Sequence, residues 1–173
     1  LVRAHARYCS PKCRQRASRA RRSLPRELSS RARWVRRASD KRPLTASGAP
    51  ASVTDASTWS PYSAVRCGED LGFVLNGDGI VCIDLDHCVS DGRLDGWARQ
   101  IMDMCPRTYI EISPSGTGIH IWGFGQLDHG RRIRTHGRSI EIYGTGRYIA
   151  MGTRHEDAVP HLADLTDVIR TLT

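Results

Sequence analysis

VCIDLD, Val81–Asp86, is the stretch on which the reading of this chain turns. A β-strand sends successive side chains to opposite faces. Val81, Ile83 and Leu85 therefore share one face, and Cys82, Asp84 and Asp86 the other. The two carboxylates stand roughly 6.5 Å apart along the strand at the usual rise. Ionised carboxylates that close repel, and one gains proton affinity unless a cation lies between them. Such a pair suits hard, oxygen-seeking ions such as Mg²⁺ or Mn²⁺. A strand end running into a polar turn is the plainer account, since His87, Ser90, Asp91 and Gly92 follow. Short motifs of this kind recur by chance, so the decision falls to the rest of the chain.

Upstream, GFVL (72–75) and IVCIDLD (80–86) read as two strands around NGDG, a hairpin turn signal. Downstream, Leu94 to Cys105 reads as an amphipathic helix, with Leu94, Trp97, Ala98, Ile101 and Cys105 on one face and Pro106 as its stop. YIEIS (109–113), GIHIW (118–122), SIEIY (139–143) and RYIAM (147–151) read as strands whose isoleucines give that helix a face to cover. Leu162 to Leu172 reads as a closing helix, WVRR (34–37) as a short strand, and Thr54 or Asp55 as the cap of a short helix over residues 57–65. The pattern predicts an α+β fold: a mostly antiparallel sheet with helices on one face and an open catalytic face.

That open face carries Asp84, Asp86, Glu111, His120, Trp122, Glu141 and Tyr143. A merely solvated sheet face would show Thr, Lys and Ser there. Glu141 completes a three-carboxylate site if SIEIY lies beside VCIDLD. The SPSGTG loop (113–118) joins two strands with small hydroxyl residues and two glycines, Gly116 and Gly118. Its backbone N–H groups can approach an anion, with the Ser115 hydroxyl and the following His120 as further donors. Taken singly, each feature has an ordinary explanation as a surface glutamate, a polar-face histidine or a long hairpin.

In sequence order, the carboxylate pair, the SGxGxH element and the third carboxylate form a far more specific set. It resembles the archaeo-eukaryotic primase superfamily, and within it the bifunctional primase–polymerase (prim-pol) domains of phages, plasmids and actinobacterial genomes. The likeness runs through WVRR (34–37), KRP (41–43), ASVTDASTW (51–59), GFVL, GIVCIDLDHC (79–88), WARQI (97–101), TYIEISPSGTGIHIW (108–122), GRR (130–132) and IEIYGTGRYIAM (140–151). The resemblance implies that Asp84, Asp86 and Glu141 are catalytic and hold Mg²⁺ or Mn²⁺. Glu141 stands where the wider superfamily often has Asp. It implies that Ser115, with Gly116 and Gly118, and His120 bind the nucleotide's phosphates, with Arg147 as a further triphosphate contact. Lys41 and Arg42 are weaker candidates, and Arg131, Arg132 and Arg138 fit template contacts or solvated charge equally well. The implied activity is nucleotidyl transfer: a DNA primase/polymerase that makes or extends a primer on single-stranded DNA from nucleoside triphosphates, with a replicative helicase as a potential partner. Two other readings compete. One is a carboxylate-metal nuclease or topoisomerase-type site, which leaves the SGxGxH loop without a task. The other is a non-catalytic nucleic-acid-binding module, against which the intact set of acids and histidine argues.

Charge divides the 173 residues. Residues 1–42 hold 15 Lys/Arg against Glu27 and Asp40, a balance of +13, while the remainder holds 11 against 16, or −5. A basic arm on an acidic body points to a polyanionic partner. The division proposed is an arm over residues 1–33 and a catalytic domain over 34–173. Within the arm, Pro11 to Arg22 can form a helix with basic residues all round. Cys9 and Cys13, with His5 nearby, resemble the second half of a small zinc finger ending YCSPxCRQRA. Structural zinc takes four ligands, so Zn²⁺ is expected only if a further pair completes the finger. Cys67, Cys82, Cys88 and Cys105 lie in or beside apolar segments without the spacing of a disulfide scaffold, which suggests a reducing, cytoplasmic setting. No apolar run reaches the length of a membrane span, and no signal peptide is expected.

Overall fold

The computed structural model describes residues 24–66, 70–135 and 137–173. In chain order its elements are α1 (Arg26–Ser29), β1 (Trp34–Arg37), β2 (Pro43–Leu44), a 3₁₀ turn (Ala56–Thr58), α2 (Tyr62–Val65), β3 (Leu71–Asn76), β4 (Ile80–Asp86), β5 (Val89–Ser90), β6 (Arg93–Leu94), α3 (Gly96–Met104), β7 (Tyr109–Ile112), β8 (Ile119–Phe124), β9 (Arg131–Thr135), β10 (Arg138–Tyr143), β11 (Thr145–Ala150), β12 (Thr153–Arg154), β13 (Ala163–Asp164) and α4 (Thr166–Leu172). The α+β class holds, with mostly antiparallel sheets and short helices.

The strands sort into two main sheets. The larger runs β12-β7-β8-β4-β10-β9, with β13 parallel to the end of β8, and the smaller runs β11-β3-β1-β2. Register in the larger sheet puts like with like. Ile110, Ile121, Ile83 and Ile142 are successive cross-strand partners, as are Ile112, Ile119, Leu85 and Ile140. Ala98, Ile101 and Met102 of α3 and Val168 and Ile169 of α4 join these residues in one apolar cluster. Each fully buried isoleucine contributes about 1.5–3 kcal/mol. A one-residue slip of any strand would turn its isoleucines outward and its acids inward, so the register is strongly specified.

The smaller sheet covers part of the other face. Phe73 of β3 meets Trp122 of β8 edge-on at 5.8 Å and Trp34 of β1 at 5.1 Å. Cys82, Trp122 and Tyr109 are buried there, and the face is more accessible toward Asp84, Asp86, Ser139 and Tyr143.

Several expectations change. GFVL and IVCIDLD are not hairpin partners: β3 pairs with β1 and β11, and β4 with β8 and β10. The NGDG turn passes the chain from one sheet to the other, because each strand finds more apolar surface in a different layer. The helix over 57–65 is two pieces, the 3₁₀ turn capped by Asp55 and α2. Pro61, which has no N–H to donate, separates them. The helix begun at Leu94 starts at Gly96, and the closing helix begins at Thr166, after Ala163 and Asp164 have added a short strand.

Folded structure also reaches back before Trp34. Leu28 is wholly buried, its carbonyl accepts from Trp34 Nε1 at 3.1 Å, and Leu162 N donates to Glu27 Oε1 at 3.2 Å. Arg33 is buried against Phe73 and paired with Asp78 at 3.0 Å. The helix over 11–22, His5, Cys9, Cys13 and Cys67 lie outside the described residues. Cys82 and Cys88 are free and fully buried. Burial pushes the Cys88 thiol up to about 12, which suits a small apolar side chain rather than a thiolate ligand.

Candidate active site

Strand pairing assembles the site from residues far apart in the chain. Across the larger sheet, Arg154, Glu111, His120, Asp84, Glu141 and Arg132 follow one another as cross-strand partners. Cross-strand partners are the nearest side chains on a sheet face. The row therefore brings three acids and a histidine between two arginines.

Asp84, Asp86 and Glu141 converge. One carboxylate oxygen from each lies within 4.8 Å of the others. Burial raises Asp84 to about 6; Asp86 and Glu141 add to the rise and His120 and Arg147 oppose it. Three oxygen donors whose mutual repulsion a cation would relieve are a chemically suitable set for a hard divalent ion. Asp86 also accepts from the Ser139 hydroxyl at 3.3 Å. Glu141 is the most engaged of the three. Arg132 Nε lies 2.5 Å from its Oε1, the Tyr143 hydroxyl donates to its Oε2, and Arg147 stands 3.8 Å away. Arg147 also donates to the Tyr143 hydroxyl at 3.0 Å and lies over its ring.

His120 sits beside this group, nearly buried, with Nε2 3.6 Å from Asp84 and Nδ1 3.1 Å from Glu111 Oε1. Burial alone would lower its pKa. The hydrogen bond and charge of Glu111, then Asp84 and Asp86, outweigh burial and leave it raised. The Ser113–Gly118 loop closes one end. Ser113 N and Gly118 O bond at 2.8 Å, and the Ser113, Ser115 and Thr117 hydroxyls form a chain at 3.0 and 2.9 Å. Both glycines are required. Gly116 has φ +77°, and a Cβ on Gly118 would stand 2.8 Å from the Leu85 carbonyl oxygen.

A cavity of about 670 Å³ joins these parts; its walls include Asp84, Asp86, Ser115, His120, Glu141 and Arg147. That volume falls within the usual range for small-molecule sites. Arg37, Lys41 and Tyr148 line the opposite side, supplied by the smaller sheet and its loop. Of the weaker candidates, Lys41 reaches the cavity, Arg42 pairs with Asp40 at 2.6 Å, and Arg132 is bound to Glu141. Arg138 lines a separate shallow hollow with Arg134.

Arg37 escaped the sequence, and Arg132 and Glu111 were named there without the contacts they make. Arg37 lies in a strand that reads as ordinary, and Arg132 in a run of like charge with nothing to single it out. Glu111 stood on the right face by alternation, but only pairing sets it against His120.

Residues 66–167 match the family described as BT4734-like, N-terminal domain, and the chain belongs to that family. Over 116 residues it is 35% identical to the DNA primase-polymerase of Nitratiruptor phage NrS-1. The aligned stretch is 60% of this chain and 16% of the phage protein, so the chain spans only a small part of that relative's length. The prim-pol likeness read from the motifs is matched by these relationships. Among the described residues no helix is long and apolar enough to cross a membrane.

Proposed function

We propose that this domain performs nucleotidyl transfer, adding nucleotides to a primer or an initiating nucleotide on a single-stranded DNA template. The observation that carries the reading is the convergence of Asp84, Asp86 and Glu141 on one cavity shared with the Ser113–Gly118 loop, His120 and Arg147. The phage relative's printed activity agrees with it.

In this reading Asp84 and Asp86 would hold Mg²⁺ or Mn²⁺, with Glu141 as the third oxygen donor. A divalent ion bound there supplies activation of the attacking 3′-hydroxyl and neutralisation of charge on the leaving pyrophosphate. The chain's own part is orientation. Ser115 and His120 offer donors to the phosphates, while Arg147 offers a cation from β11; the Gly116 and Gly118 N–H groups bond to Ser113 and shape the loop. Asp84, Asp86 and Glu141 would otherwise repel the triphosphate. A bound cation would offset that charge, as Arg132 and Arg147 beside Glu141 do in part. The basic residues before Leu24 are assigned to nucleic-acid phosphates, which they would bind with little sequence preference. We assign residues 34–173 to the catalytic domain, with α1 and Arg33 packed onto it, and no role to Cys9 and Cys13 beyond a zinc half-site.

The direct test is incubation with single-stranded DNA, labelled deoxy- or ribonucleoside triphosphates and Mg²⁺ or Mn²⁺, with and without a primer. Metal-dependent product that disappears in Asp84→Asn supports the reading. Metal-dependent degradation of the template with no synthesis would favour the nuclease alternative instead.

A further inference from the structure

Glu111 is the one acid of the row with no route to the cavity. It is fully buried on β7, between Ile110 and Ile112, and faces the smaller sheet. Moving a carboxylate out of water costs several kcal/mol unless it is well paired. Its Oε1 accepts from His120 Nδ1 at 3.1 Å and from Trp122 Nε1 at 3.2 Å. Arg154 is its cross-strand partner on the other side. Trp122 is itself held by Phe73, so the acceptor is anchored to both sheets.

The consequence falls on His120. An imidazole can turn over about its χ2 bond and can carry its proton on either nitrogen. An acceptor fixed against Nδ1 stops the ring turning over and keeps a proton on Nδ1, and Nε2 then donates only when the ring carries its second proton. Nε2 is then the atom presented to the cavity, beside Asp84 and next to the Ser113–Gly118 loop.

We propose that Glu111 is a positioning residue: it holds the His120 ring through Nδ1 so that Nε2 faces the phosphates of the incoming nucleotide. This rests on the nucleotidyl-transfer reading above for the ligand, and on the sheet geometry for the lock. Glu111 itself touches no substrate. Its removal leaves the Trp122 N–H without its acceptor, a cost in stability, but its effect on catalysis should pass through His120 and fall on nucleotide binding rather than on the chemical step.

The test uses the full chain. Nitrogen-15 spectra of histidine-labelled protein, with the His120 signals identified by their loss in His120→Ala, should show the parent's His120 protonated at Nδ1. A bare Nδ1 would overturn the proposal without any activity measurement. Glu111→Met removes the acceptor at similar volume, and should raise the nucleotide KM about tenfold with kcat within threefold. Glu111→Gln keeps an acceptor oxygen, so its KM should stay within threefold of the parent's. In a His120→Ala background, Glu111→Met should add nothing. A parent-like KM in Glu111→Met, a fall in kcat alone, or effects that add in the double variant would each refute it. Should Glu111→Met not fold, the parent spectrum and Glu111→Gln decide, a tenfold KM rise in Glu111→Gln counting against the lock. If the parent extends no primer, the transfer reading fails separately. Titration of fluorescently labelled dATP with Mn²⁺ then replaces KM as the readout for Glu111.

Discussion

Replacing Asp84 by Asn should stabilise the metal-free protein and abolish its response to metal. Burial first, then Asp86 and Glu141, carry Asp84 from 3.8 to about 6. At 1.36 kcal/mol per pKa unit, keeping that group ionised in the fold costs about 3 kcal/mol. The folded pKa lies above the unfolded one, so the cost is absent below about pH 4, where both states hold the proton. It grows as pH rises through the window from 3.8 to about 6 and is complete above it. Asn carries no charge and is not subject to it, though it also forfeits the attraction to His120, which stands 3.6 Å away. In EDTA at pH 8 the variant should therefore melt higher, by about 2–4 °C for each kcal/mol gained in a chain of this size. Adding Mn²⁺ should reverse the order, since the parent gains about 2.7 kcal/mol at a hundredfold excess over Kd and the variant almost nothing. Differential scanning calorimetry at pH 4 and pH 8, with EDTA or Mn²⁺, reads all of this on two proteins. Equal melting temperatures in EDTA at pH 8, or an advantage that grows on acidification, would refute the reasoning.

Four further outcomes can be measured. Ser115→Ala and His120→Ala should weaken nucleotide binding more than the Mn²⁺-induced melting shift, because both offer donors rather than charge to a cation; titration with labelled nucleotide checks it. Gly118→Ala places a Cβ 2.8 Å from the Leu85 carbonyl oxygen. It should cost about 1–3 kcal/mol in denaturant unfolding and displace the loop enough to lower nucleotide affinity. Deleting residues 1–23 should weaken single-strand binding and flatten its dependence on salt. Deleting 1–33 should also cost stability, because Leu28 is wholly buried; Leu28→Ala alone is expected to lose about 2–5 kcal/mol.

Alternation was enough to sort the side chains. The isoleucines of YIEIS, GIHIW and SIEIY, and the acids and histidine between them, lie on the faces that a period of two assigns. That period is a property of the strand itself and needs no partner. The DxD pair, the glycine-containing loop and the third carboxylate could be read for the same reason, each being local in the chain. Neighbours could not be read. Glu141 faces Asp84 and His120 faces Glu111 because β10, β4, β8 and β7 lie side by side, and those contacts close loops of very different length. The NGDG turn shows the limit most clearly. Its local chemistry favours a hairpin, yet β3 and β4 separate into two layers because each buries more apolar surface with other strands. That separation places Phe73 over Trp122, shuts Glu111 away from water and brings Arg37, Lys41 and Arg147 across from the carboxylates. Residue type and spacing determined the chemistry available to this protein. Which groups meet, and which are dry, was decided by the packing of one sheet on another, where burial and charge depend on residues distant in sequence.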